Sequence, residues 1–219
     1  MVCKEIIYYT DNELDPHIME ACQSQIASIG LPIISSSLNG AIDFGDNEVF
    51  NGKRSYLSMF RQIVNCLERC RGDVVFFCEH DVFYHESHFD FIPERDDVYY
   101  YNNNAWKWNG FEAVKYDSRW LSQLCCYRKI AINHYRKKVH FEKDGIKKRF
   151  EPGSRRGIDK LKSQYWESEY PNIDIRHGKN LTGVSRFSLD TFRKRKPNNF
   201  IKKYELPKGV DRDALLCLI

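Results

Sequence analysis

The 219-residue chain has no long uncharged apolar run, and its mean hydropathy of −0.59 leaves no candidate for a membrane span. It opens MVCKEIIYYTD, without an apolar stretch of signal-peptide length, so a cytoplasmic protein is expected. None of its eight cysteines forms a Cys-x-x-Cys pair, and the neighbours Cys125 and Cys126 do not suit one ordinary framework. That argues against a structural zinc site or disulfide scaffold and for small buried thiols in a reducing compartment. Internal repeats and evident linkers are also missing, so one continuous domain over 1–219 is expected. Positive charge is scarce in front and acid is scarce behind. Residues 1–99 hold 7 Lys+Arg against 17 Asp+Glu, a net −10, and residues 100–219 hold 27 against 13, a net +14. What is present suffices for a core: 42% of the residues are hydrophobic and 14% aromatic, which excludes wholesale disorder. A basic half suits a polyanionic partner, although such charge also serves solubility alone.

The front half alternates element types. Lys4–Thr10 is short, β-branched and aromatic, and reads as a strand. Asp15 caps a helix with Pro16 at its first position, and Ile18, Met19, Cys22, Ile26 and Ile29 keep a 3.6-residue period up to Gly30. Leu31–Ser37 is a second strand, followed by a polar loop over Leu38–Lys53. Arg54–Arg71 is a helix with a stripe of Tyr56, Phe60, Ile63, Val64 and Leu67, and Asp73–Cys78 is an unbroken apolar strand of the kind buried on both faces. The order β-α-β-α-β predicts an α/β fold with helices on both faces of a parallel sheet. Further on, Asp97–Asn103 and Phe111–Tyr116 read as strands around an Asn109-Gly110 hairpin turn, and Leu121–Arg136 as a strand running into a helix. The charged stretch from Arg136 to Lys162 reads as loop or short helices, and the end beyond Arg193–Lys196 as a tail.

Ligands of open α/β sheets bind beyond the carboxyl ends of the strands. There the apolar run ending at Cys78 delivers Glu79-His80-Asp81. Continued strand alternation would put Glu79 and Asp81 on one face and His80 opposite, as a structural residue. Two carboxylates on one face call for a cation or a proton, and oxygen ligands suit Mg²⁺ or Mn²⁺. Solvated turn acids would read the same way. His85 and His88 invite a metal reading at i, i+3, yet HESHF fits an amphipathic helical turn better.

Gly52-Lys53-Arg54, Arg61-Gln62, Arg71-Gly72-Asp73, VVFFC and Glu79-His80-Asp81 together resemble a GT-A glycosyltransferase of the family-2-like kind over about residues 4–90. Glu-x-Asp stands where that family has Asp-x-Asp. The resemblance implies a nucleotide-sugar-binding half over 1–90 and an acceptor-binding, basic half over 91–219. It further implies a UDP-sugar donor, a divalent ion on its diphosphate and transfer to a hydroxyl. Asp81 and Glu79 would be metal ligands, with Glu79 also at the donor. Tyr9, Thr10, Asp11 and Asn12 would meet the base, and Arg54 or Arg61 a phosphate, where core packing or surface pairing are the plainer readings. Family members often complete the metal site with a late His. Here His177 in Arg176-His177-Gly178-Lys179-Asn180-Leu181-Thr182-Gly183 is the candidate, with Lys179 on a phosphate and two glycines allowing close backbone approach.

The aromatic and amide stretch Tyr99–Asn109 supplies Trp106 and Trp108 as acceptor contacts, or as ordinary core aromatics. An inverting transfer needs a general base, and Glu112 and Asp117 are the first candidates, then Glu167 and Glu169. The basic clusters favour DNA as acceptor, in the manner of phage-type enzymes that glycosylate hydroxymethylated pyrimidines such as 5-hydroxymethylcytosine. A saccharide or glycoprotein acceptor is the alternative, and a non-catalytic nucleic-acid-binding protein the alternative of another class.

Overall fold

A computed structural model describes residues 2–110, 112–115, 119–148 and 151–177, together with the backbone of 200–201. The elements are β1 (Lys4–Thr10), α1 (Pro16–Ala27), β2 (Ile33–Leu38), β3 (Asp46–Phe50), α2 (Tyr56–Arg69), β4 (Val74–Glu79), β5 (Val82–Phe83), β6 (Val98–Asn102), β7 (Ala105–Trp108), β8 (Ala113–Lys115), β9 (Leu124–Tyr127), α3 (Arg128–Lys143), β10 (Lys162–Trp166), β11 (Asn172–Ile175) and β12 (Phe200–Ile201). Seven strands form one sheet in the order β10-β6-β9-β4-β1-β2-β3, in which β9 alone runs against its neighbours. A second sheet has the order β12-β8-β7-β11-β5. The mixed α/β class expected from the element order is the one observed, with helices on both faces of a mostly parallel sheet.

Strand alternation sorts the core into two layers. Ile7, Tyr9, Val75 and Phe77 face α2 and α3 and pack with Phe60, Ile63, Leu67 and Tyr135. Ile6, Tyr8, Phe76 and Cys78 face the other way, toward Ile26 of α1 and the segment holding Val82, Tyr84 and Phe89. Each central strand is therefore apolar on both faces, which is why β1 and β4 read as continuous runs. Asp15 accepts from His17 N at 3.0 Å and Pro16 begins α1, as expected. Glu5 accepts the backbone N–H groups of Arg71 and Gly72 at 2.7 and 2.8 Å where α2 returns to β4. A Cβ on Gly72 would lie 2.9 Å from Glu5 Cγ, so the close approach needs glycine there.

Three expectations are corrected. The loop assigned to Leu38–Lys53 contains the edge strand β3, whose DNEVF has no apolar alternation because it is mostly exposed. The expected hairpin around Asn109-Gly110 joins β7 to β8, while 98–102 belongs to the other sheet. α3 runs on through the charged stretch to Lys143, since Ala131, His134, Tyr135 and Lys138 keep a buried stripe. β10 and β11 add two strands in a stretch to which the sequence assigns no element. Among the described residues no helix is long and apolar enough to cross a membrane.

Candidate metal and nucleotide-sugar site

The parallel strands β1, β2 and β4 end together at Thr10, Leu38 and Glu79. Beyond β4 the chain turns through His80-Asp81 and enters the second sheet as β5, where Asp174 of β11 pairs with Val82. Ile175 N donates to Asp81 O at 2.8 Å, and Arg176 N donates to Trp108 O at 2.7 Å. This ladder carries the chain two residues further and sets His177 Nε2 3.3 Å from Asp81 Oδ2. Ligand atoms of His80, Asp81 and His177 all lie within 4.8 Å of one another.

His80 Nδ1 sits 2.6 Å from Thr10 Oγ1 and 3.7 Å from Asp11 Oδ1. Donation of Nδ1–H to that hydroxyl leaves the Nε2 lone pair for a cation, the outer-shell arrangement of metal-binding histidines. Burial alone would push the Asp81 carboxyl up. The His177 hydrogen bond and the charges of His80, His177 and Lys107 outweigh it and hold Asp81 well below the usual carboxylate range. An ionised carboxylate between two imidazoles therefore fits a divalent ion. Two nitrogen donors suit a first-row transition ion better than Mg²⁺, which prefers an all-oxygen shell.

Glu79 and His80 exchange the parts expected of them. His80 turns toward Asp81 and His177 because strand alternation stops at Glu79, the last residue of β4. Glu79 instead accepts from Tyr9 OH at 2.8 Å and stands outside the three-residue group. Burial, then the neighbouring Asp81, raises its pKa. Tyr9, expected on a nucleobase, is 4% exposed and packs with Phe60 and Tyr135, which leaves no ring face for stacking.

Thr10 and Asp11 hold His80, and Asn12, at φ +61°, makes the turn by donating its N–H to Thr10 Oγ1 at 2.9 Å. Arg54 Nε binds Asp11 Oδ2 at 2.5 Å, so Arg54 stands at the site edge. Arg61 lies over the Phe50 ring at 5.8 Å. Trp108 is 3% exposed among Leu14, Ile18 and Ile173, a core position rather than an acceptor contact, and Trp106 packs partly buried against the same cluster. Glu112 lies in the β7–β8 turn, its N–H donating to Asn109 Oδ1 at 2.9 Å. Glu167 pairs with Lys115 at 2.7 Å on the surface, and Glu169 is exposed. Asp117 and Lys179 lie outside the described residues. His85 and His88 are separate from the site: His85 caps a short helical turn and stacks on Tyr170, while His88 is fully buried against Phe76, Tyr84 and Trp166.

Sequence reading missed two features. Gln62 Nε2 donates to Thr10 O and Ser36 O at 2.8 and 3.0 Å and ties the ends of β1 and β2 together. A buried ion triad joins Lys107 of β7 to Asp174, which also accepts from Arg176 Nη1 at 3.2 Å. Lys107 Nζ also lies 4.3 Å from the centre of the Trp120 ring. Only the β7–β11 register brings these charges together, and no local signal announces it.

No protein-family model matches the sequence, and no curated protein matches it. Among solved structures, a glycosyltransferase involved in the glycosylation of the major capsid of PBCV-1 is 7% identical, with 88% of this chain and 99% of that chain covered at a TM-score of 0.49. A nucleotidyl transferase from Methanothermobacter is 9% identical, covering 77% and 88% of the two chains at a TM-score of 0.43. An inositol-1-phosphate CTP transferase from T. maritima is 8% identical, covering 80% and 89% at 0.44. These likenesses are distant, and what the chain can do is read from its own site.

Proposed function

We propose that this chain is a metal-dependent glycosyltransferase that moves a sugar from a UDP-sugar to a hydroxyl acceptor. The observation that carries the reading is the meeting of Asp81 and His177 beside His80 at the carboxyl ends of the parallel strands. An ion bound there would neutralise charge on a nucleotide diphosphate. Thr10 and Asp11 orient His80, the His177 hydrogen bond chiefly keeps Asp81 ionised, and Gln62 fixes the strand ends that floor the donor site. Arg54, held by Asp11, is proposed to meet a phosphate oxygen, and Lys179 is proposed for the same role. A fixed guanidinium at the leaving group stabilises charge that develops in the transition state. Proton removal from the acceptor hydroxyl is assigned to Glu112, in the β7–β8 turn, or to Asp117. The favoured acceptor is a hydroxymethylated base in DNA, supported by the basic surface.

The test is release of UDP from a panel of UDP-sugars with Mn²⁺ present, comparing wild type with Asp81→Asn. Turnover by wild type and loss of at least 100-fold in the variant, with an unchanged circular dichroism spectrum, is expected; equal turnover by both proteins sinks the assignment. Label transferred only to oligosaccharides would move the acceptor from DNA to saccharide.

A further inference from the structure

The fold turns the charge asymmetry of the sequence into a spatial one. One outer strand of the large sheet is β3, where Asp46 and Glu48 are exposed; the other is β10, into which the 151–161 segment leads. Among the described residues from 128 to 162, ten Lys or Arg are exposed against one exposed acid, Asp144. On α3 the exposed cations Lys129, Arg136, Lys137 and Lys143 recur at helical spacing on one stripe, and Lys147 and Lys148 are exposed just beyond the helix end. The opposite stripe is committed to the core through Ala131 and Tyr135. Lys138, although in the middle of the basic run, is 3% exposed and sits over the Phe60 and Tyr135 rings, so it belongs to the core.

The 151–161 segment brings further cations and is fastened to α3 by Asp159. The Asp159 carboxylate meets His134 Nδ1 of α3 at 2.6 Å and accepts from Tyr99 OH at 2.8 Å. Arg155, Arg156 and Lys160 are exposed on this fastened segment. Acidic groups facing this surface are few: Glu68 of α2 pairs with Arg136 at 2.9 Å, and Asp144 approaches His140 at 3.5 Å. Lys129 to Lys143 spans about 21 Å at 1.5 Å per residue. That is the length of about six phosphates along one nucleic-acid strand.

We infer that α3 and the 151–161 segment form the face on which this protein docks a nucleic-acid backbone. The inference rests on the proposed reading in taking the acceptor to be carried on DNA, and it assigns that partner a surface. A membrane is a poorer match, because an interfacial helix inserts an apolar stripe and the apolar stripe of α3 is buried against α2. Ile146, at 44%, is the large hydrophobic residue exposed beside the cations. The contacts are to phosphate, so the face sets affinity and orientation while base choice lies elsewhere.

The experiment measures binding of a short labelled duplex by fluorescence anisotropy, from about 50 to about 200 mM salt. It compares wild type with the four-fold variant Lys129→Glu, Lys137→Glu, Lys143→Glu and Lys147→Glu. Wild type should bind with a steep salt dependence. The variant should bind at least tenfold more weakly at low salt, with a slope shallower by about one per lysine removed. UDP release should be the same in both, since none of the four touches the donor site. Failure of wild type to bind, equal affinity of the variant, or tighter binding of both to phosphatidylserine vesicles than to DNA would each overturn the inference. Salt-dependent DNA binding without UDP release would leave the face standing and remove the transferase reading, so the two failures are distinguishable.

Discussion

His177 Nε2 lies 3.3 Å from Asp81 Oδ2, although 96 residues separate them in the chain. The strands next to them are short: β5, which follows Asp81, has two residues and β11, which precedes His177, has four. The pair is fixed by the β5–β11 ladder and the donation from Ile175 N to Asp81 O. Metal affinity should therefore respond to groups that never touch the ion.

Thr10 is such a group. Thr10→Val removes the hydroxyl that holds His80 Nδ1 and should weaken Mn²⁺ binding by about 10–100-fold, the usual cost of losing an outer-shell partner. Thr10→Ser should restore it. Isothermal titration of both variants checks this, and unchanged affinity in Thr10→Val would show that His80 is not a ligand.

Asp174 is buried between Lys107 and Arg176, and Asp174→Asn leaves two buried cations without their bridging carboxylate. Breaking a buried pair by removing one partner costs about 3–5 kcal/mol. At roughly 2–4 °C per kcal/mol for a chain of this size, Tm should fall by about 6 °C or more. A Tm within a degree of wild type would mean that solvent already screens the triad.

Stability should fall in acid partly through His88. Burial, with no compensating charge, lowers its pKa from 6.5 to about 3, so the fold holds the neutral ring. Its contribution is complete above about pH 6.5 and is lost as pH falls toward about 3, at up to about 1.4 kcal/mol per pH unit. His134, also lowered chiefly by burial, acts in the same direction. Urea midpoints at descending pH should drop less steeply in His88→Phe than in wild type, and parallel curves would contradict the assignment.

The thiols should differ sharply in reactivity. Cys3 is exposed, whereas Cys22, Cys66, Cys70, Cys78, Cys125 and Cys126 are buried and burial pushes each thiol up. Peptide mapping after brief alkylation should find Cys3 labelled and those six protected until denaturant is added. Early labelling of Cys125 or Cys126 would argue against the packing of β9.

The parts of the fold that were legible are those whose signal is local. β1 and β4 announce themselves because burial on both faces demands continuous apolar runs, and α1 and α2 because one helical stripe meets the sheet. Edge strands give no such pattern: β3 is mostly exposed and lies in a stretch that reads as polar loop, and the mostly exposed β10 shows no apolar alternation either. At the site, Asp81 follows from its place after a buried strand, and His177 from a polar cluster before a glycine. His80 was misplaced because alternation was carried one residue past the end of β4, where the backbone turns. Lys107 and Asp174 were invisible because their meaning lies in a register between strands 67 residues apart.

The central claim is that His80, Asp81 and His177 hold one divalent ion that receives the nucleotide diphosphate. Titrating Mn²⁺ into wild type and His177→Ala, each followed by UDP, tests it most directly. The account predicts one Mn²⁺ per chain in wild type, bound more tightly than Mg²⁺, with UDP binding strengthened by the ion. It also predicts at least tenfold weaker Mn²⁺ binding in the variant. Undiminished Mn²⁺ binding by His177→Ala, or UDP binding indifferent to the ion, would contradict it.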